Sequence, residues 1–395
     1  MRQPLASIAL LTLCLLVLGV SGFATAAQPL EEAARLVELI DNDDDARNEN
    51  RFRVASALVE AGRLDEAARI GELLGGAYQQ GELFSMLGLE ALLAGDTEKE
   101  QRWMERAAKV AAQYGDQWQA DRIHARVGVR RYLIGQKDEA ERIVGKFKDM
   151  ESRLVYQVEL AVAQARQTGE DRLELPVEIR EGHDKPLPEY LLFTRGATRI
   201  AETIFAKNPE AGITDPIRAV LKKGFDAGAA ARVVRVKEML GIGRFFVTHG
   251  DTHDAADALK DALGQLSRMQ PIAAEKPRML AQLAAIYARA GDKKSAGRAV
   301  ADAESCWSKL RPLEQPPALG AIAIGYLELS DTAKSDALFA EAIRIAKANP
   351  NRRAGIINAV DLCLDLQAAG KNLPETLGAA LNSMRARATG ADPGS

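Results

Sequence analysis

Two histidines and an aspartate lie close together in the segment HGDTHD, at His249, Asp251 and His253. Imidazole and carboxylate groups are common ligands of zinc, so this cluster would suit a metal-dependent protein. Metal-binding pairs at this spacing usually lie on one face of a continuous helix. Gly250 and Asp251 instead indicate a turn, with Asp251 as the N-cap of the next helix. The sequence therefore favours a turn, and a metal site in the His249 region is the weaker alternative.

Arginines recur at helical spacing at Arg122, Arg126 and Arg130, with Arg131 beside them. Side chains at i, i+4 and i+8 share one helix face, and aligned guanidinium groups can bind carboxylates or phosphates on a partner. The competing interpretation is a solvated outer face, because runs of charge are usually solvated surface. On that interpretation the arginines pair within the chain, with Glu98, Glu100 or Glu139.

A second basic set comprises Arg232, Arg235, Lys237 and Arg244. Both sets are candidates for one binding strip if the helices that carry them line a common groove. The predicted partner-binding residues are Arg122, Arg126, Arg130, Arg131, Lys237 and Arg244.

Motifs for catalysis are absent from the sequence. His124 and His183 are isolated, and no serine or cysteine has a nucleophile motif around it. The glycines of GIG at 241–243 lack the GK[ST] that completes a phosphate-binding loop. The sequence predicts no enzyme activity, no cofactor and no bound metal.

Composition limits the class of partner. The 395 residues are 47% hydrophobic, which is enough for a large core, and the formal net charge is −3. Nucleic-acid binding usually requires a basic stripe and a strongly basic domain, so we expect no nucleic-acid partner.

Turn residues recur through the chain with gaps that are mostly near 40. They are Gly62, Gly95, Gly135, Gly169, Gly250, Gly291, Ser330 and Gly370, with one further turn predicted near Asn208 and Pro209. A fixed period of this length is typical of helical repeats. Asp96, Asp251, Asp292 and Asp331 follow turns as predicted N-caps.

Small residues lie seven positions before these turns, where two helices of a hairpin would approach closely. They are Ala55, Gly88, Gly128, Ala201, Gly243, Ala284, Ala323 and Cys363, with Val162 as the exception. An irregular helical domain with chance alanines is the alternative, but it does not explain why the small residues keep their distance from the turns.

In these offsets the chain resembles the tetratricopeptide-repeat (TPR) family over about residues 45 to 388. The resemblance implies an all-α fold, a right-handed-type α-α superhelix: a TPR-like solenoid of about eight helical hairpins, with a period near 40. It also implies that first helices line a concave groove. The family's clamp for C-terminal carboxylates uses lysine and asparagine at set positions, where this chain has Arg122, Ala125 and Val129, and Lys237, Leu240 and Arg244, so the clamp is not expected here.

The chain divides into six predicted segments. Residues 1–27 have a basic start, an apolar run and a small-residue cleavage site, and are predicted to be a signal peptide; an uncleaved anchor is the alternative. Residues 28–47 form a capping helix and acidic linker, 48–175 hairpins 1 to 4, 176–189 a proline-rich loop or hinge, 190–388 hairpins 5 to 9, and 389–395 a disordered tail. Cys306 and Cys363 are predicted to be buried, unpaired thiols.

The function predicted from these features is an exported, periplasmic or extracytoplasmic scaffold that binds a protein or peptide along its concave face. After signal cleavage we expect no stable membrane insertion. Two alternatives stay open: a structural, self-assembling envelope component, and the metal-dependent protein described above.

Overall fold

The computed structural model describes residues 29–174, 188–227, 232–270 and 274–388, and its regular structure there is entirely helical. The predicted signal peptide, most of the predicted hinge and the predicted tail lie outside the described residues. A short helix α1 spans 29–37. The first helices of the repeats are α2 (Asp44–Glu60), α4 (Ala77–Leu93), α6 (Trp118–Leu133), α8 (Met150–Thr168), α9 (Pro188–Lys207), α11 (Arg232–Thr248), α13 (Glu275–Arg289), α15 (Gln315–Glu328) and α17 (Arg352–Ala368).

Second helices follow eight of these first helices within the described residues. They are α3 (Leu64–Glu72), α5 (Thr97–Tyr114), α7 (Lys137–Val144), α10 (Asp215–Ala227), α12 (Thr252–Ser267), α14 (Lys293–Trp307), α16 (Thr332–Ala348) and α18 (Glu375–Ala388). A 3-10 turn at Pro209–Ala211 separates α9 from α10. The prediction of an all-α solenoid of about eight hairpins is confirmed.

The predicted turns are visible in the backbone. All eight turn residues have positive φ, from 63° at Ser330 to 88° at Gly135. Seven of the eight are glycine, the residue that adopts this conformation without steric penalty. The predicted N-caps are also confirmed, since Asp96, Asp251 and Asp292 each accept a hydrogen bond from the backbone N–H three residues later. Local sequence signals therefore define each hairpin.

Ser330 is the one turn residue of this set that carries a side chain in the left-handed region, with φ of 63°. We expect Ser330→Gly to raise the free energy of unfolding by about 1 kcal/mol, because that conformation strains L-residues other than glycine. The reciprocal change Gly291→Ser, in the preceding hairpin, should lower it by a similar amount. Denaturant unfolding gives the free energy of unfolding of both variants. A loss of stability in Ser330→Gly would contradict the proposal that Ser330 is strained.

The small residues seven before the turns allow each first helix to pack tightly on its own second helix. A Cβ atom added at Gly88 would lie 2.7 Å from Cγ of Met104, and one at Gly243 would lie 2.7 Å from Cδ2 of Leu259. Both distances are shorter than real Cβ contacts, so packing favours glycine at these two positions. Cys363 fills the same slot in α17, and it and Cys306 are buried and free, as predicted.

Successive first helices pack side by side, and successive second helices lie outside them. This arrangement continues until the two ends of the solenoid meet, because α17 contacts α2. One hydrophobic core contains Leu30, Leu36 and Val54 from the beginning of the chain together with Leu377 and Leu381 from its end. The curve of the repeats is therefore closed into a ring.

Ion pairs also join the two ends of the solenoid. Arg53 of α2 lies 2.5 Å from Asp361 of α17, and Arg353 pairs with Asp43. Arg385 of α18 lies 3.2 Å from Glu32 of α1. The apolar side chains of α1 point into the shared core, so α1 occupies the junction between the first and last hairpins.

Candidate functional site

First helices line a central cavity of about 1310 Å³, which we call the lumen. Residues of α2, α4, α6, α8, α9, α11, α13 and α17 line it. Helix α15 contributes no lining residue, and its residues 316–326 are buried on every side. The concave surface expected of a solenoid is thus a partly open cavity, larger than the roughly 300–1,000 Å³ typical of small-molecule pockets.

The lining residues follow one helical stripe when they are counted back from each turn. Thirteen positions before the turn stand Arg195, Lys237 and Arg278, and nine before it stand Met86, Arg126, Arg199, Gly241 and Gln282. These positions are four apart and so lie on one face of each helix. The stripe repeats because every first helix packs in the same orientation.

The wall of the lumen combines charged side chains with apolar surface in about equal parts. Its apolar residues lie beneath the surface: Leu89, Val155 and Val162 are each 3% exposed or less. Long charged side chains extend from the same helices. Their apolar stems pack along the wall, and their charged ends reach water. The lumen is consequently suited to a ligand that carries charged groups.

The predicted binding residues separate into three groups. Arg126, Lys237 and Arg244 line the lumen. Arg130 instead pairs with Glu100 on α5, and Arg131 lies 3.6 Å from Glu139 on α7, so both are directed at second helices. Arg122 is held near the lumen wall by Glu151 at 2.6 Å and by Glu82 at 3.3 Å.

Glu159 of α8 organises the charges on one side of the lumen. Its carboxylate lies 3.1 Å from Arg199 of α9 and 3.6 Å from Arg126 of α6. Burial alone would raise the pKa of Glu159, but Arg199 and then Arg126 lower it to about 2. The three residues join three consecutive first helices through one carboxylate.

Two further ion pairs join helices that are not neighbours in the ring. Arg166 of α8 reaches Glu90 of α4 at 2.6 Å, and Arg278 of α13 reaches Asp365 of α17 at 3.1 Å. Each pair spans the helix that lies between its partners in the repeat order. These contacts hold the wall of the lumen together at its charged surface.

Sequence reasoning missed Arg195, Arg199 and Arg278. The signal that identifies them is their distance from the turn, since Arg195 and Arg278 match Arg122 at thirteen positions and Arg199 matches Arg126 at nine. Spacing along one helix, on which the prediction relied, cannot reveal a stripe that continues from one helix to the next.

Arg195 and Arg244 differ from the other lumen arginines because they make no ion pair with the described residues. Burial and the nearby Arg289 lower the pKa of Arg244, while Glu202 and Glu328 have the opposite effect without reaching ion-pair distance. Arg195 is exposed to the lumen. Both guanidinium groups are therefore available to an anion.

Glu238 of α11 is a buried carboxyl group at the lumen wall, 5% exposed. Burial raises its pKa to about 7, and a hydrogen bond with Thr194 opposes the rise. Its Oε1 atom has no hydrogen-bond partner among the described residues and faces Gly224 of α10, where an added Cβ atom would lie 2.6 Å away. The protonated form fits this site better than the charged one.

We expect Glu238→Gln to remove a pH dependence of stability. The folded pKa of about 7 lies above the reference value of 4.5, so the carboxyl group stabilises the fold below pH 4.5, and this contribution is lost as the pH rises through 7. The loss amounts to about 3 kcal/mol at 1.36 kcal/mol per pKa unit. Urea unfolding at pH 5 and pH 8.5 measures this effect. The free energy of unfolding of the variant, relative to that of the parent, should be higher at pH 8.5 than at pH 5. Glu98→Gln, at an exposed site, should follow the parent, and parallel curves for Glu238→Gln would contradict the assignment.

The histidines of the turn between α11 and α12 lie outside the lumen. His249 packs against Phe205 and Phe245, with ring centroids 3.7 and 4.5 Å apart. Asp251 caps α12 and lies 2.9 Å from Arg218. The described part of the chain holds no group of three or more His, Cys, Asp or Glu side chains arranged to hold a metal ion.

None of the described helices is long and apolar enough to cross a membrane. The sequence matches no known family model, and no curated protein is significantly similar to it. Among solved structures the chain is similar to a circular tandem repeat protein with novel repeat topology and enhanced subunit contact surfaces. The two are 14% identical, with 93% of this chain and 97% of that chain covered and a TM-score of 0.29.

Proposed function

We propose that the chain is an exported, non-catalytic TPR-like scaffold whose lumen binds an extended segment of a protein or peptide partner. The observation that carries the proposal is the lumen itself, a partly open cavity of about 1310 Å³ whose wall carries many charged side chains. A folded domain is too large for such a space, whereas a peptide segment or a loop can enter it. Export is proposed from residues 1–27 of the sequence.

Rigid stacking of the repeats supplies the mechanism. Ion pairs within the wall hold its side chains in place before a ligand arrives, as Arg166 does with Glu90 and Arg199 with Glu159. A preorganised wall loses less side-chain entropy on binding than a mobile one, which favours affinity. Binding then depends on complementarity of shape and charge.

A crosslinking experiment tests the proposal on the mature chain, residues 28–395. A benzophenone maleimide is attached at Gln282→Cys, which faces the lumen, or at Arg298→Cys, which is exposed on the outer helix α14. The native Cys306 and Cys363 are buried, so labelling is selective for the new thiol.

The probe is a synthetic decapeptide library of random sequence. Peptide adducts at position 282 and few at position 298 are the expected result. Equal labelling at both positions, or none at either, would refute a lumen that binds peptides. Crosslinks only between copies of the chain would instead favour the self-assembling alternative.

A further inference from the structure

Gly241 leaves a gap in the charged wall of the lumen. At the corresponding position, nine before the turn, Arg126, Arg199 and Gln282 extend side chains. A Cβ atom added at Gly241 would meet only Oγ1 of Thr198, at 3.9 Å. Packing does not require glycine here, in contrast to Gly243, and glycine within a helix lowers stability. Neither helix stability nor packing explains glycine at this position, and its missing side chain leaves room for part of a ligand.

Cationic side chains surround this gap, which we call the Gly241 notch. Lys237 and Arg244 lie one turn before and one turn after Gly241 on the same face of α11. Across from them on α9, Arg195 precedes Thr198 by one turn. Lys237 is 3.6 Å from Glu275, whereas Arg195 and Arg244 have no carboxylate partner among the described residues.

Acidic groups near the notch oppose this positive charge only in part. Glu202 lies one turn after Thr198, and burial raises its pKa. Glu275 is engaged by Lys237, and Glu238 has a pKa of about 7. Arg244 also experiences repulsion from Arg289. A bound anion at the notch would therefore find two unpaired guanidinium groups and would relieve the repulsion between Arg244 and Arg289.

We infer that the Gly241 notch binds a carboxylate of an acidic peptide segment, with Arg195 and Arg244 as the groups that bind it. This inference rests on the proposed function and adds the chemical class of the ligand. The bare backbone of Gly241 lets the peptide approach α11 closely, and the guanidinium groups form charge-assisted hydrogen bonds with the carboxylate. The specificity that results is for aspartate or glutamate side chains.

The test compares two labelled decapeptides, one rich in Asp and Glu and one in which Asn and Gln replace them, on the mature chain. Fluorescence anisotropy measures binding to Gly241→Leu, which fills the notch, and to Arg244→Gln, which removes one charge. Gly264→Leu and Arg298→Gln are the matched controls on outer helices, since a Cβ atom at Gly264 meets nothing within 4 Å and Arg298 is exposed. Circular dichroism verifies that each variant is folded.

We expect the acidic peptide to bind preferentially and to lose about tenfold to a hundredfold in affinity in both notch variants, with the controls unchanged. Equal affinity for both peptides, with no effect of Arg244→Gln, would overturn the inference while leaving a peptide-binding lumen. Free glutamate that competes as well as the peptide would overturn the assignment to a peptide. Failure of every peptide to bind would refute the proposed function itself.

Discussion

Glu159→Gln is expected to lower the free energy of unfolding by about 3 to 5 kcal/mol, the typical consequence of removing one partner from a buried ion pair. The carboxylate is 13% exposed and contacts Arg126 and Arg199. Without it Arg126 of α6, which is 8% exposed, and Arg199 of α9, on the other side of α8, lose the carboxylate that they share. Urea unfolding at pH 7, followed by circular dichroism, measures the loss.

The same substitution has a predicted pH dependence. The folded pKa of Glu159 is about 2, below the reference value of 4.5, so its contribution is present above pH 4.5 and disappears as the pH falls through 2. The difference between parent and variant should therefore shrink as the pH is lowered. Glu341→Gln serves as the control, because Glu341 pairs with the 66% exposed Arg344 and should contribute no more than about 1 kcal/mol. A Glu159→Gln variant as stable as this control would contradict the role assigned to the carboxylate.

Leu36→Ala is expected to destabilise both the first and the last hairpin of the solenoid. Leu36 of α1 is fully buried in a core shared with α18, and truncating such a leucine lowers the free energy of unfolding by about 2 to 5 kcal/mol. In an open solenoid each repeat contacts only its neighbours, so the effect would stay in the first hairpin. Closure predicts instead that it reaches α17 and α18, more than 300 residues away in the sequence.

Hydrogen exchange with mass spectrometry distinguishes the two cases. We expect faster exchange in residues 375–388 as well as in 44–60, with residues 188–227 unchanged. Leu259→Ala is the control, because it creates a comparable cavity at the buried face of α12, in a hairpin far from both ends of the chain. It should leave residues 375–388 protected from exchange. Confinement of the Leu36→Ala effect to the first hairpin would show that the ends open independently.

Local signals were sufficient for the hairpins. A glycine at a turn needs positive φ, an aspartate after it caps the next helix, and a small residue seven positions earlier lets two helices approach. Each of these is an interaction within one hairpin, so the sequence shows it directly. Asp292 and Gly291 illustrate the agreement, since the aspartate caps α14 and the glycine has φ of 83°.

The candidate site was predictable only in part. The spacing of Arg122 and Arg126 predicts that they share one face, and both lie near Glu82 of α4, at 3.3 and 3.6 Å. Arg126 lines the lumen. Arg130 follows the same spacing but turns to Glu100 on α5, because a long side chain can reach a carboxylate to either side of its helix. Which arginines keep a free guanidinium group depends on carboxylates supplied by other helices, and no pattern within one helix contains that information.

Period, turn chemistry and helix content follow from the order of residues, because they arise from contacts between positions close together in the chain. Closure of the ring does not, since Arg53 meets Asp361 and Arg385 meets Glu32 only after small rotations between hairpins have accumulated over the whole solenoid. The lumen is a consequence of that closure. The shared carboxylate of Glu159 and the Gly241 notch arise where successive first helices pack side by side, so each depends on residues of more than one helix.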